Sequence, residues 1–240
     1  MKKQELYREY AKYYDLLYSD KNYKKESEKI IYIINKFKKS SGKELLDVAC
    51  GTGGHLKYLY NRFKCTGLDI NQDMLNIAKK KIPNIKYIHG NMINFKLDKE
   101  FDVITCLFSS IGYVKTYKNL QKTIKNFIRH LKVGGVVIIN PWFDKTNFKE
   151  GQPAFAIYES KNLKIVRADT PFIKDGISIL DFHYLIAERN RPIKYVCGRH
   201  ELGLFDIKKT LEIMNSAGLK PYHIKNKSMK GRGLLVGVKL

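Results

Sequence analysis

Apolar residues recur at helical spacing near the start of the chain, at Leu6, Tyr10, Tyr14 and Leu17 and then at Ile30, Ile31, Ile34 and Phe37. Ser19, Asp20, Lys21 and Asn22 interrupt this pattern, which predicts two helices with a break between them over residues 5–38. The period then changes. "KELLDVACGTGG" is a short apolar run ending in glycines, which predicts a strand entering a tight turn, with a helix over 54–62 behind it. The strand "CTGLDI", the helix "NQDMLNIAKKK" opened by Asn71 and the strand "IKYIHG" follow. "DVITCLF" at 102–108 is a fourth strand. A helix from about Lys118 to Leu131 comes next, with Gly134-Gly135 as its stop, and "VVIIN" is the fifth strand. Apolar strands alternating with helices predict an α/β class fold, a doubly wound, Rossmann-like parallel sheet that binds ligands at its strand C-termini.

From about residue 152 to 205 the pattern lacks helices. "AFAIYES", "LKIVRA", "ISILDFHYLIAE" and "IKYVCGRHELGLF" read as four strands, an antiparallel β insertion after the fifth strand. "DIKKTLEIMNSAGL" is a helix ending at Gly218, and "PYHIKN" and "GLLVGVKL" are two closing strands.

With 240 residues, 44% of them hydrophobic, the chain can bury one good core. It has no run of about 18 apolar residues and its first residues are charged and aromatic, so neither a membrane span nor a secretory signal is expected. Cys50, Cys65, Cys106 and Cys197 lie far apart without C-x-x-C spacing, which predicts reduced packing thiols and a cytoplasmic location. The net charge of +22, from 45 basic and 23 acidic residues, would attract any polyanion. Its lysines, however, are spread as doublets and a triplet over predicted helices, whereas a nucleic-acid reader concentrates charge on one face. A nucleic-acid partner is therefore disfavoured, while capture of a phosphorylated small molecule would be helped.

In "LLDVACGTGGHL", Gly51 and Gly53 form the turn after the first strand, with Asp47 on that strand. A dinucleotide fingerprint would place a third glycine where Leu56 stands, so a pyrophosphate is poorly accommodated and a cofactor without phosphates fits better. Asp69, at the end of the second strand, can accept hydrogen bonds from both ribose hydroxyls. The pair "DVACGTG" and "GLDI" resembles the first two motifs of the class I S-adenosylmethionine-dependent methyltransferases. That resemblance implies S-adenosylmethionine as cofactor, held by Tyr14, Ala49, Gly51, Gly53, Asp69, Ile70, Met74, Asn91, Met92 and Phe108. Many members carry Asp where Asn91 stands.

Asn140-Pro141-Trp142-Phe143 looks like the Asn-Pro-Pro-Tyr signature of enzymes that methylate amino groups of nucleic-acid bases. In those enzymes the motif follows the fourth strand. Here it follows the fifth, and the fourth ends in Cys106-Leu107-Phe108-Ser109-Ser110, so the position does not support that role. "FSSIGYVKT", "NPWFDKTNFKEG", "DFHYLIAE", "RHELGLF" and "GRGLLVGV" together are similar to the N-methyltransferases of nucleotide-linked deoxyaminosugars, the desosamine and mycaminose type, with Asn140 where those enzymes usually have Glu. The resemblance covers most of the chain. It implies mono- or dimethylation of a sugar amine, probed against two alternatives, a nucleic-acid methyltransferase and an N-methyltransferase of a free small amine.

On this reading residues 1–43 are helices capping the active site, 44–150 the cofactor-binding core, 151–205 the substrate-side insertion and 206–240 the completion of the core sheet. Tyr14, Tyr113, His183 and His200 are candidates for orienting the amine or accepting its proton, and alternation places Asp181 and His183 together, on the expected inner surface of the insertion. Six His residues show no metal-ligand spacing, so no metal is expected. Arg232, flanked by glycines, is the best candidate for a substrate diphosphate, because a guanidinium matches phosphate bidentately. Tyr23, Ser110, Asn140, Trp142, Arg199 and Lys230 complete the substrate-side set, and a homodimer is the expected assembly.

Overall fold

The computed structural model describes residues 11–225 and 232–240. Lys230, one of the substrate-side candidates, lies outside them.

Helix α1 (Tyr14–Leu17) and helix α2 (Tyr23–Phe37) are separated as the sequence predicts, with the Asn22 side chain accepting from Lys25 N to start α2. Strands β1 (Glu44–Val48), β2 (Lys64–Asp69), β3 (Lys86–His89), β4 (Phe101–Cys106) and β5 (Leu131–Ile139) are parallel. The intervening helices are α3 (Leu56–Leu59), α4 (Gln72–Lys81) and α5 (Tyr117–Arg129). α3 is shorter than the expected 54–62. The Asn71 side chain caps α4 by accepting from Asp73 N and Met74 N at 3.0 and 3.1 Å.

Gly134 and Gly135 do not stop a helix. α5 ends at Arg129, Leu131 already pairs with Phe101, and the glycines lie inside β5, where the register shifts between Phe101 and Val103. Gly134 adopts φ 72°, open to glycine at little cost, and its carbonyl accepts from Lys39 N and Ser40 N at 2.7 and 3.0 Å. The bulge thus ties the end of α2 to the sheet.

After the insertion come helix α6 (Ile207–Ser216) and strands β11 (Leu219–Ile224) and β12 (Leu234–Lys239), the latter hydrogen-bonded antiparallel to β5. The sheet order is β11-β12-β5-β4-β1-β2-β3. Strand order reverses at β1, so a crevice opens at the C-terminal ends of β1 and β4. Apolar clusters cover both faces of the sheet, one built around Phe101, Phe127 and Met214, the other around Ile30, Ile34 and Leu56.

The insertion is a separate sheet of β6 (Ala154–Glu159), β7 (Leu163–Asp169), β8 (Phe172–Lys174), β9 (Ile177–Glu188) and β10 (Lys194–Gly203). The short β8 is one strand more than the sequence pattern predicts. All its pairings are antiparallel. Its inner face packs Ile165, Tyr184, Ile186 and Val196 against Tyr13, Tyr14 and Leu17, so the α1 segment is held between the insertion and Met74 of the core.

Candidate active site

The turn after β1 runs at positive φ at Ala49 (58°), Gly51 (54°) and Gly53 (78°). A Cβ built on Gly51 would meet nothing within 4 Å, so the turn presents bare backbone to open space. The turn is pinned from β2 by Asp69, whose Oδ2 accepts from Gly51 N and whose Oδ1 accepts from Asn71 N, both at 2.8 Å. Each oxygen keeps acceptor capacity for a further donor. Burial raises the Asp69 pKa, and the backbone donors pull it back.

Two cavities flank this turn. One is a narrow apolar slot lined by Ala49, Leu68, Ile70, Asn91, Met92 and Tyr113. Asn91 Oδ1 accepts from Ile93 N at 2.9 Å, which leaves its amide N–H groups for a ligand. The other is lined by Tyr14, Tyr23, Asp47, Gly51, Thr52 and Phe108. Asp47 is 2% exposed and accepts from Thr105 Oγ1 at 2.7 Å; burial pushes its pKa up to about 7. S-adenosylmethionine fits this set: a flat slot for the base, a carboxylate for the ribose diol, and a buried acid beside open backbone for an ammonium-bearing tail. Neither cavity is lined by Lys or Arg among the described residues, which suits a cofactor without phosphates.

Tyr14, Phe108 and Ser110 also border a larger cleft, of about 490 Å³, between the core sheet and the insertion. Trp142 walls it, donating from Nε1 to Ser178 Oγ at 2.9 Å. Tyr113 Oη and His200 Nδ1 are 2.8 Å apart. His200 is 1% exposed, and burial, aided by the Arg167 charge, lowers its pKa to about 4, so the ring is neutral at pH 7. Arg232 is 9% exposed, with its guanidinium 4.6 Å from the Phe143 ring centroid and 5.3 Å from that of Trp142. Its Nε has no hydrogen-bond partner, and burial pulls its pKa down to about 10, still a cation at neutral pH. On its other side Arg232 borders a second cavity with Lys21, Lys25, Glu26 and Asn140. Asn140 Nδ2 donates to Gly233 O at 3.1 Å, so Asn140 anchors the Arg232-Gly233 turn to the end of β5.

The sequence-predicted residues thus divide. Tyr14, Ser110, Tyr113, Trp142, His200 and Arg232 meet in one cleft. His183 and Arg199 do not. Pairing in β9 and β10 places Tyr184 and His200 inward, so the alternate positions His183 and Arg199 face outward; His183 is exposed beside Tyr195, and Arg199 forms a bidentate pair with Asp181 at 2.7 Å. Tyr23 stands at the glycine turn, hydrogen-bonded to Tyr14 and edge-on to His55, not at Arg232. Met74 packs into the cluster beneath Tyr14 and lines none of the cavities described above. Gly53 shapes the turn, lying close to Ala78 and Ile82. Arg167 and Asp169 of β7 line the cleft and escaped the sequence reading; they stand two and four residues after buried Ile165, on the same strand face.

The seven-stranded sheet and its glycine turn define a methyltransferase of the S-adenosylmethionine-dependent class, and residues 45–135 match the methyltransferase domain family. The chain is 30% identical over 233 residues to the dTDP-3-amino-3,4,6-trideoxy-alpha-D-glucopyranose N,N-dimethyltransferase of Streptomyces venezuelae, covering 96% of this chain and 98% of the relative. It is 31% identical to the dTDP-3-amino-3,6-dideoxy-alpha-D-glucopyranose N,N-dimethyltransferase of Streptomyces fradiae, covering 96% and 91%. The crystal structure of Streptomyces venezuelae DesVI superposes with a TM-score of 0.90 at 29% identity, covering 97% and 99%. That of the sugar N-methyltransferase KedS8 from Streptoalloteichus sp ATCC 53650 gives 0.85 at 30% identity, covering 94% and 92%. The chain belongs to the family of dTDP-aminosugar N,N-dimethyltransferases.

Proposed function

We propose that this chain transfers methyl groups from S-adenosylmethionine to the amino group of a dTDP-linked aminodeoxysugar, once or twice. The observation that carries the reading is Arg232. A guanidinium buried between two aromatic rings with Nε unpartnered calls for an anion, and it sits at the end of a cleft that reaches the cofactor turn at Tyr14, Phe108 and Ser110. A substrate diphosphate at Arg232 places the sugar along Trp142 with its amine toward Tyr14.

When bound, the cofactor supplies a methyl group on a positively charged sulfur, open to in-line attack by an amine lone pair. Asp69 would hold its ribose, Ala49, Ile70, Asn91 and Met92 its base, and Gly51, Tyr14 and Phe108 the remainder, with Asp47 facing the ammonium. The chain's task is then positioning, which can supply much of the acceleration. Tyr113 and neutral His200 orient the amine through hydrogen bonds, and the ammonium proton leaves to water before attack. His200 is a positioning group here, since its lowered pKa makes it a weak acceptor of protons at pH 7.

Two further inferences concern setting. Ile157, Val166, Leu185 and Tyr195 are cross-strand neighbours, exposed in one row on the outer face of the insertion, and this row supports pairing of two copies. Light scattering that returns the mass of one chain would refute it. Free cysteines, with no helix among the described residues long and apolar enough to cross a membrane, support action in the cytoplasm.

The test of the substrate reading is calorimetric titration with thymidine diphosphate. Saturable binding by the native chain, abolished in Arg232→Ala with cofactor binding retained, is expected. Equal binding by both proteins would remove Arg232 from the site.

A further inference from the structure

Alternate residues of a strand share a face, and the inner face of β7 carries Ile165 in the apolar cluster and Arg167 and Asp169 on the wall of the cleft. Arg167 Nη1 donates to Tyr18 Oη at 2.9 Å, and its guanidinium lies 4.4 Å from the Phe182 ring centroid. Its Nε is buried and has no hydrogen-bond partner. Asp169 is 6% exposed, and its Oδ1 is likewise buried and unpartnered. The two side chains form no ion pair with each other, although each bears on the other's charge. One cavity wall therefore carries an unfilled donor and an unfilled acceptor, where folded proteins leave few such groups without a partner.

The chemistry of the missing partner follows from that pairing. A group that fills both sites must donate to a carboxylate and accept from a guanidinium N–H, and a hydroxyl does both with one oxygen. A phosphate would be repelled by Asp169. The reacting amine is also a poor occupant, because a guanidinium N–H would engage the lone pair that attacks the methyl group, and methylation removes the N–H that Asp169 would accept. Phe182, lying against Arg167, offers an apolar surface to a sugar ring.

We propose that Arg167 and Asp169 form a hydroxyl subsite, which selects an aminosugar that keeps a ring hydroxyl on a carbon other than the one bearing the amine. This rests on the nucleotide-aminosugar reading and narrows it. The substrates named for the two relatives differ in this feature: the 3-amino-3,6-dideoxy sugar retains a hydroxyl that the 3-amino-3,4,6-trideoxy sugar lacks.

The experiment measures kcat/KM for a dTDP-3-amino-3,6-dideoxy sugar and for its 2-deoxy and 4-deoxy analogues, with the native chain and with Asp169→Ala and Asp169→Asn. A site built around a substrate hydroxyl discriminates strongly against its absence, so one deoxy analogue should fall by at least about 100-fold with the native chain. Asp169→Ala should shrink that ratio by about 10- to 100-fold, the worth of a charge-assisted hydrogen bond. Asp169→Asn, which keeps a carbonyl acceptor and the side-chain shape, should restore part of it. Equal turnover of all three sugars by the native chain overturns the subsite and leaves the substrate reading standing. An Asp169→Ala chain that slows on all three sugars alike also overturns the subsite, since a merely structural residue behaves that way. Turnover of none overturns both.

Discussion

Replacing Asp47 by Asn should make the cofactor-free protein more stable at alkaline pH and lower its stability by no more than about 1 kcal/mol in acid. The Asp47 carboxyl is fully buried on β1, with the Thr105 hydroxyl as its hydrogen-bond partner and Asp69 close enough to add repulsion. Burial moves its pKa from 3.8 to about 7, and three pH units correspond to about 4 kcal/mol. The folded chain holds this proton more tightly than the unfolded chain. The associated stability is therefore present below pH 3.8 and is lost as pH rises through about 7. Asn keeps the shape and a carbonyl for the Thr105 hydroxyl, at a cost of about 1 kcal/mol if that bond weakens. The expected net gain above neutrality is about 2–3 kcal/mol, read from urea unfolding of both proteins across this pH range. Other titrating groups shift both curves together and cancel in the difference. Cofactor binding supplies a second reading: if its ammonium meets the carboxylate, affinity of the native chain climbs with pH up to about 7, and that of Asp47→Asn does not. Unfolding curves that stay parallel across the whole range would refute the reasoning.

Other perturbations separate the remaining parts of the site. Asp69→Ala should weaken cofactor binding by about 1–3 kcal/mol in an equilibrium titration, the loss of charge-assisted hydrogen bonds, and unchanged affinity would remove Asp69 from the ribose site. His200 has a folded pKa of about 4 against 6.5, so the native chain should lose about 3 kcal/mol of stability relative to His200→Gln as pH falls between these values, the other titrating groups cancelling in the difference; the catalytic loss of His200→Gln should be partial, and abolition of turnover with binding intact would make His200 a true base. Asp102→Ala should destabilise the fold by about 3 kcal/mol without changing cofactor affinity, because the buried Asp102 carboxylate accepts from Gly42 N, Glu44 N and Lys132 Nζ at 3.0–3.1 Å. A loss of affinity with unchanged unfolding would contradict that structural role.

What could be read from the sequence follows a physical division. The cofactor half rests on local signals: a buried strand, glycines at positive φ, and an acid at the next strand's end, all within one β-α-β unit. Residues 47–69 reveal it directly. The insertion is different, because strand alternation sorts residues onto two faces without saying which faces inward. β9 carries apolar side chains on both faces, Tyr184 inside and Leu185 outside, so the choice of His183 rather than Phe182 as a cleft residue had no local signal against it. The register with β7 and β10 decides it. Arg167 and Asp169 were invisible for the same reason: charges in "LKIVRAD" read as solvent-facing until packing against the α1 segment turns them inward. Gly134-Gly135 misled in another way, since a glycine pair after a helical pattern marks a helix stop as readily as a strand bulge.

Everything on the substrate side turns on the identity of the methyl acceptor. Incubation of the purified chain with S-adenosylmethionine and dTDP-linked 3-amino or 4-amino deoxysugars, followed by mass spectrometry of the products, tests it most directly. A nucleotide-linked aminosugar should gain one or two methyl increments, and the same sugar freed of its nucleotide little or none. Equal methylation of the free sugar, or methylation of RNA with the nucleotide sugars untouched, would contradict it.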